Sequence, residues 1–153
     1  MQAELLCLLL VFPLAFFKNY VSLNYRDNSM KRVLIVDDEL AVASIFDTAL
    51  KNAGYEVKIA TSGKGGLDLA KAEKFDLILL DQMIGDLSGN EVLKTLKQDQ
   101  TTKATPVAML TNFGHDTMVK EALYIGAVDY ILKYQISIDD LIKKVKTILG
   151  DAS

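Results

Sequence analysis

Leu77-Ile78-Leu79-Leu80 is the stretch that most constrains what this chain can become. Four consecutive aliphatic residues between Asp76 and Asp81 are too few and too uniformly apolar for an amphipathic helix. A strand buried on both faces of a parallel sheet accommodates them. Asp81 stands where that strand leaves the core, and strands of open α/β sheets deliver their functional groups at their carboxyl ends, into a crevice. One acid at a strand end is more often a turn former than a site. Its weight here comes from the other strand ends.

From Lys31 onward the chain alternates strand and helix. A β-branched run at 32–36 ends in Asp37-Asp38-Glu39, and residues 40–53 carry Val42, Ile45, Phe46, Ala49 and Leu50 at helical spacing up to a stop at Gly54. Residues 56–60 read as a second strand, 61–63 as a turn and 64–72 as a helix with Leu67 and Ala70 inward. After the third strand comes a glycine-containing loop at 84–89, then a helix at 90–97 with Val92, Leu93 and Leu96 on one face. Pro106 opens the fourth strand, a position where proline is tolerated, and Thr111 ends it. A helix at 116–125 presents Met118, Val119, Ala122 and Leu123. The fifth strand, 129–132, ends at Lys133. Ile138, Leu141, Ile142, Val145, Ile148 and Leu149 form the stripe of a last helix, with Ser137 as N-cap and Asp140 as its acidic partner. Five strands alternating with five helices imply right-handed crossovers and a parallel α/β sheet covered on both faces.

At 153 residues, half of them apolar, the chain is long enough for one buried domain and too apolar for a disordered one. Seventeen basic against 20 acidic residues, a formal charge of -3, offer no broad basic surface, so direct nucleic-acid binding is not expected. Cys7 is the single cysteine and cannot form an internal disulfide, which fits a reducing compartment and a cytoplasmic domain. Residues 1–29 read as an apolar N-terminal extension set apart from a domain at 30–153. The run at 5–17 is shorter than the roughly 20 residues that span a bilayer. It also follows an acidic rather than a basic start. Three readings stand: an unstructured or spuriously translated extension before Met30, a membrane anchor reaching to residue 23, and an atypical signal.

The strand ends carry the chemistry. Asp37 and Asp38 follow the first strand, Asp81 the third, Thr111 the fourth and Lys133 the fifth, all on one edge of the sheet. Unneutralised carboxylates so close together repel by roughly 4 kcal/mol per pair at 4 Å and an effective dielectric near 20. Lys133 supplies one positive charge. An all-oxygen cluster with room for water is also the environment of Mg²⁺. A carboxylate beside Mg²⁺, an ammonium and a hydroxyl is equipped to receive a phosphoryl group, and an aspartate can itself be the nucleophile.

Residues 31–149 resemble a response-regulator receiver domain of two-component signalling, of the stand-alone chemotaxis-regulator type. The resemblance rests on Asp37-Asp38 after Val33-Leu34-Ile35-Val36, on Asp81 after Leu77-Ile78-Leu79-Leu80, on Thr111 after Met109-Leu110, and on Gly126-Ala127 leading to Tyr130 and Lys133. The separations, 30 residues from Asp81 to Thr111 and 22 from Thr111 to Lys133, suit that family. It implies the flavodoxin-like strand order 2-1-3-4-5, for which a receiver is a standard example.

What the resemblance further implies is specific. Asp81 would accept a phosphoryl group from the phosphohistidine of a sensor kinase or phosphotransfer protein. Asp38 and Asp81 would bind Mg²⁺ directly, Asp37 through water, and the backbone carbonyl of Met83 would be a further ligand. Lys133 would bind a phosphoryl oxygen. Thr111 would hydrogen-bond another, letting Tyr130 turn inward and switching the face of the fourth helix, fifth strand and fifth helix. That face would take a downstream target or, once phosphorylated, a second copy. Such a chain is a signalling domain that catalyses its own phosphorylation and dephosphorylation rather than an enzyme. With Ser153 just past the last helix, output would come through partner binding or phosphoryl relay.

The sequence departs from the family at five positions. Tyr134 replaces the proline after the lysine, which puts its usual cis peptide in question. Gly85 replaces a proline four residues after the phosphoacceptor, which suggests a freer loop. Asn112 is larger than usual and narrows access to the site. Met83 and Phe113 are apolar where polar groups often orient the attacking water, so a slowly decaying aspartyl phosphate is expected. A haloacid-dehalogenase-type phosphatase would need an aspartate where Met83 stands, and a flavodoxin would not put acids where its flavin phosphate binds. A phosphorylation-independent interaction module on the same fold is the alternative. His115 reads as exposed.

Overall fold

The computed structural model describes residues 30–112 and 114–151. Expectations for residues 1–29 and for Phe113 lie outside the described residues. Strands β1 (Arg32–Val36), β2 (Glu56–Ala60), β3 (Leu77–Leu80), β4 (Val107–Thr111) and β5 (Asp129–Leu132) alternate with helices α1 (Leu40–Asn52), α2 (Gly63–Ala72), α3 (Gly89–Gln98), α4 (Asp116–Ile125) and α5 (Ile138–Leu149). All pairings are parallel, and the sheet order is β2-β1-β3-β4-β5. The architecture expected from the sequence is therefore the one observed.

The period of two along each strand divides the core into two layers. Leu34, Val36, Ile78, Leu80, Val107 and Met109 face one side, where α2, α3 and α4 bring Ala70, Val92, Leu93, Leu96 and Ala122. Val33, Ile35, Leu77, Leu79, Ala108 and Leu110 face the other, covered by Ala43, Phe46 and Leu50 of α1 and by Leu141 and Val145 of α5. Every residue of β3 and β4 is buried, which is why those segments read as continuous apolar runs.

Local chemistry sets the starts of α2 and α3 one residue earlier than the periodicity suggests. Ser62 accepts a hydrogen bond from Gly65 N at the start of α2. Ser88 and Glu91 form a reciprocal capping box at the start of α3. Ser137 caps α5 by accepting from Asp140 N, as expected, while its hydroxyl also donates to the Asp140 carboxylate. The apolar stripes are less complete than the spacing implies. Ile45 is 56% exposed, and on α4 Leu123 points outward while Ala122 alone is buried, with Ile125 packed beside the core. Helix α4 thus rests on the sheet by a narrow contact.

Register places the functional edge. Val36 pairs with Leu80 and Leu80 with Met109, so Asp37 and Asp81 step off adjacent strands at the same level. Thr111 pairs with Leu132, one residue before Lys133.

Candidate functional site

Backbone hydrogen bonds carry this register past the strand ends: Asp81 N donates to Val36 O at 2.9 Å and Lys133 N to Thr111 O at 2.8 Å. The Lys133 side chain is thereby directed across the sheet edge. Its Nζ donates to Asp81 Oδ2 at 2.8 Å and lies 2.6 Å from Asp37 Oδ2, with Glu39 Oε2 at 3.9 Å. Lys133, Asp37, Asp81 and Thr111 are all buried. Asp37 Oδ1 accepts from Glu39 N at 2.9 Å, whereas its buried Oδ2 has no well-aligned donor, so its contact with Lys133 is chiefly an ion pair.

Burial raises the Asp37 carboxyl above its ordinary range; the ammonium and the Glu39 N–H pull it back, and the charge of Asp81 pushes it up again. For Lys133, burial acts downward, but the close carboxylates of Asp37 and Asp81 outweigh it and leave the ammonium above its usual value. Lys133 is therefore a persistent buried cation among acids. Burial likewise raises the Tyr130 phenol.

Asp37, Asp38 and Asp81 can each offer a carboxylate oxygen with all three within 4.8 Å of one another. Hard oxygen donors at this density, one of them a buried oxygen without an aligned proton donor, fit a small divalent cation. Asp38 is exposed, and its Oδ2 accepts from Gly85 N at 3.2 Å. Met83 N donates to Asp81 Oδ1 at 3.3 Å, and the Met83 side chain is 57% exposed beside the site.

Thr111 and Tyr130 are hydrogen-bonded to each other. Asn112 is half-buried next to Thr111, and its Oδ1 has no partner among the described residues. His115 is exposed, without a capping bond at the start of α4. No peptide bond among the described residues is cis. The looser loop expected from Gly85 is not what the structure shows. Gly85 N holds Asp38, and Asp86 accepts from Gly63 N at 2.7 Å and Lys64 N at 2.9 Å.

Two features escaped the sequence reading. Glu39, read only as the last of the acids after the first strand, lies within reach of Lys133. Asp86 bonds to backbone 22 and 23 residues away, a contact with no short-range signal.

The profile of the response regulator receiver domain family matches residues 33–146. Response regulator ArlR of Staphylococcus saprophyticus is 37% identical over 121 residues, covering 78% of this chain and 53% of that protein. Phosphate regulon transcriptional regulatory protein PhoB of Pseudomonas aeruginosa is 38% identical over 119 residues, covering 78% and 52%. The chain spans about half the length of these curated relatives. Among solved structures, a CheY-like receiver domain protein from Methanospirillum hungatei superposes with a TM-score of 0.75 at 33% identity, covering 80% of this chain and 95% of that one. Chemotaxis protein CheY4 of Vibrio cholerae gives 0.74 at 29% identity, covering 78% and 99%.

Proposed function

We propose that this chain, which belongs to the response regulator receiver domain family of two-component signalling, takes a phosphoryl group onto Asp81 from the phosphohistidine of a sensor kinase or phosphotransfer protein. The observation that carries the reading is the buried ammonium of Lys133 held between Asp37 and Asp81 at the carboxyl edge of the sheet. An Asp81 carboxylate oxygen attacks phosphorus. The new P–O bond forms as the P–N bond breaks, and the imidazole nitrogen keeps the electron pair and takes up a proton. Asp81 Oδ1, with one long hydrogen bond from Met83 N, is the less committed oxygen. The Lys133 ammonium neutralises charge on a transferring oxygen, and the Thr111 hydroxyl, at the end of the next strand, serves another. Mg²⁺ held by Asp38, Asp81, Asp37 and the Met83 carbonyl would supply further neutralisation of the phosphoryl oxygens.

The consequence is read on the neighbouring face. Thr111 is bonded to Tyr130, and Tyr130 lines a groove of about 520 Å³ between β5 and α5 with Leu132, Gln135, Ile136 and Lys144. A shift of Thr111 towards a phosphoryl group would change that groove, where we place the downstream protein partner. The unit doing this is the domain at 30–153. No helix among the described residues is long and apolar enough to cross a membrane, and we place the domain's work in the cytoplasm.

Beryllofluoride, a phosphoryl mimic, tests the reading against a phosphorylation-independent module. With Mg²⁺, a bound fluorine NMR signal that is absent in Asp81→Asn is expected. No bound signal in wild type would favour the module.

A further inference from the structure

The loop between β3 and α3 is fastened at three places. At its base Met83 and Ser88 form an antiparallel bridge, and Gly89 N donates to Gln82 O at 2.9 Å. At its tip the Asp86 carboxylate grips the start of α2 with both oxygens, Oδ1 on Gly63 N at 2.7 Å and Oδ2 on Lys64 N at 2.9 Å. These N–H groups have no partner within their own helix, and a carboxylate there is favoured by the helix dipole. Between base and tip, Gly85 N donates to Asp38 Oδ2 at 3.2 Å. A proline at 85 has no N–H and could not make this bond.

From this geometry we infer that Gly85 and Asp86 are positioning residues for divalent-cation binding: Asp86 anchors the loop on α2, and the anchored loop uses the Gly85 N–H to aim the Asp38 carboxylate at the ion. The inference rests on the phosphoacceptor reading, and it concerns how this chain's own residues hold the ligand. Asp38 is the exposed member of the acidic cluster, with no other hydrogen bond to its side chain among the described residues. An unrestrained exposed carboxylate samples several rotamers, and the ion must select one of them. With Gly85 N on Oδ2, Asp38 already lies in the arrangement that brings three carboxylates within 4.8 Å. One accepted hydrogen bond leaves the carboxylate lone pairs to spare for the ion. Hydrogen-bond donors behind a ligating carboxylate commonly set metal affinity.

The test is Mg²⁺ titration of the unphosphorylated protein by calorimetry, with Mn²⁺ paramagnetic resonance as a second probe and thermal melts to confirm folding. Gly85→Pro should weaken binding by roughly tenfold, the low end for loss of an outer-shell partner, because the bond is long and solvent-exposed. Gly85→Ala restores most of that affinity, since it keeps the N–H and its Cβ would meet Asp38 Oδ2 at an ordinary 3.7 Å. Asp86→Ala should weaken binding severalfold in the wild-type background and not at all on top of Gly85→Pro, because both act through one hydrogen bond. Asp86→Asn, which keeps one acceptor oxygen, falls between and serves if Asp86→Ala does not fold. A Gly85→Pro protein that binds Mg²⁺ as tightly as wild type overturns the inference. So does Gly85→Ala losing as much as Gly85→Pro, or additive losses at 85 and 86. Wild type failing to bind Mg²⁺ would instead overturn the phosphoacceptor reading itself.

Discussion

Replacing Lys133 with methionine removes the one cation buried in the acidic site and keeps most of the apolar stem. The Lys133 and Asp37 side chains are each 1% exposed and that of Asp81 7%, so the two carboxylates left behind have little access to water. Stranding the partner of a buried ion pair costs about 3–5 kcal/mol. The charges alone account for a similar figure: two carboxylate oxygens within 4.8 Å repel by at least ~3.5 kcal/mol at an effective dielectric of 20. Exposed Asp38 adds less, because water screens it. Loss of this size lowers the melting temperature on the order of 10 °C for a domain of this length. The deficit also has a pH signature. Burial already raises the Asp37 carboxyl, and the ammonium that pulls it back is gone in Lys133→Met. A carboxyl raised on folding costs nothing below its unfolded value, here 3.8, and destabilises increasingly as pH rises towards its folded value. Wild type and variant should therefore differ most at neutral pH and converge towards pH 3.8. Mg²⁺ should stabilise Lys133→Met more than wild type, since an ion held at a hundred times its dissociation constant contributes about 2.7 kcal/mol and no ammonium competes for the carboxylates. Urea melts at neutral and acid pH, with and without Mg²⁺, measure all of this. A variant as stable as wild type at neutral pH without Mg²⁺ would refute the assignment of Lys133 as the counter-charge.

Gly89→Ala should cost about 1–3 kcal/mol in urea melts and slow phosphoryl uptake, because its Cβ would run into the Asp81 carbonyl and lie 2.7 Å from Gln82 Cα, neither of which can yield without moving Asp81. Asp151→Asn should flatten the acid side of the stability profile: the Lys31 bond holds the Asp151 carboxyl low against burial, with help from Tyr55, so its contribution is present above pH 3.8 and lost as pH falls through its folded value. Thermal melts of both proteins on the acid side measure the difference. Met83→Asn should shorten the life of the aspartyl phosphate, because an exposed thioether beside the site cannot orient water and an amide can. Decay of the phosphorylated protein in Mg²⁺ provides the comparison.

The sheet was legible because β3 and β4 are buried on both faces and can be little else, and because four of the five strand ends carry residues whose chemistry makes sense only beside one another. Asp37, Asp38, Asp81, Thr111 and Lys133 come from four strand ends, and parallel topology alone brings them to one edge. The helix faces were less legible. Hydrophobic spacing does not reveal how deeply a helix sits, so Ile45 and Leu123 look like core residues and are exposed. Loop chemistry was least legible. Glycine at 85 suggests freedom when backbone propensity is the only guide, yet its N–H and the Asp86 carboxylate pin the loop through contacts 22 to 47 residues away in the chain.

The central claim is that Asp81 carries the phosphoryl group. Intact mass after incubation with Mg²⁺ and acetyl phosphate tests it most directly. A single phosphoryl addition to wild type, dependent on Mg²⁺ and missing from Asp81→Asn, is the expected result. Equal addition to both proteins, or to neither, would contradict it.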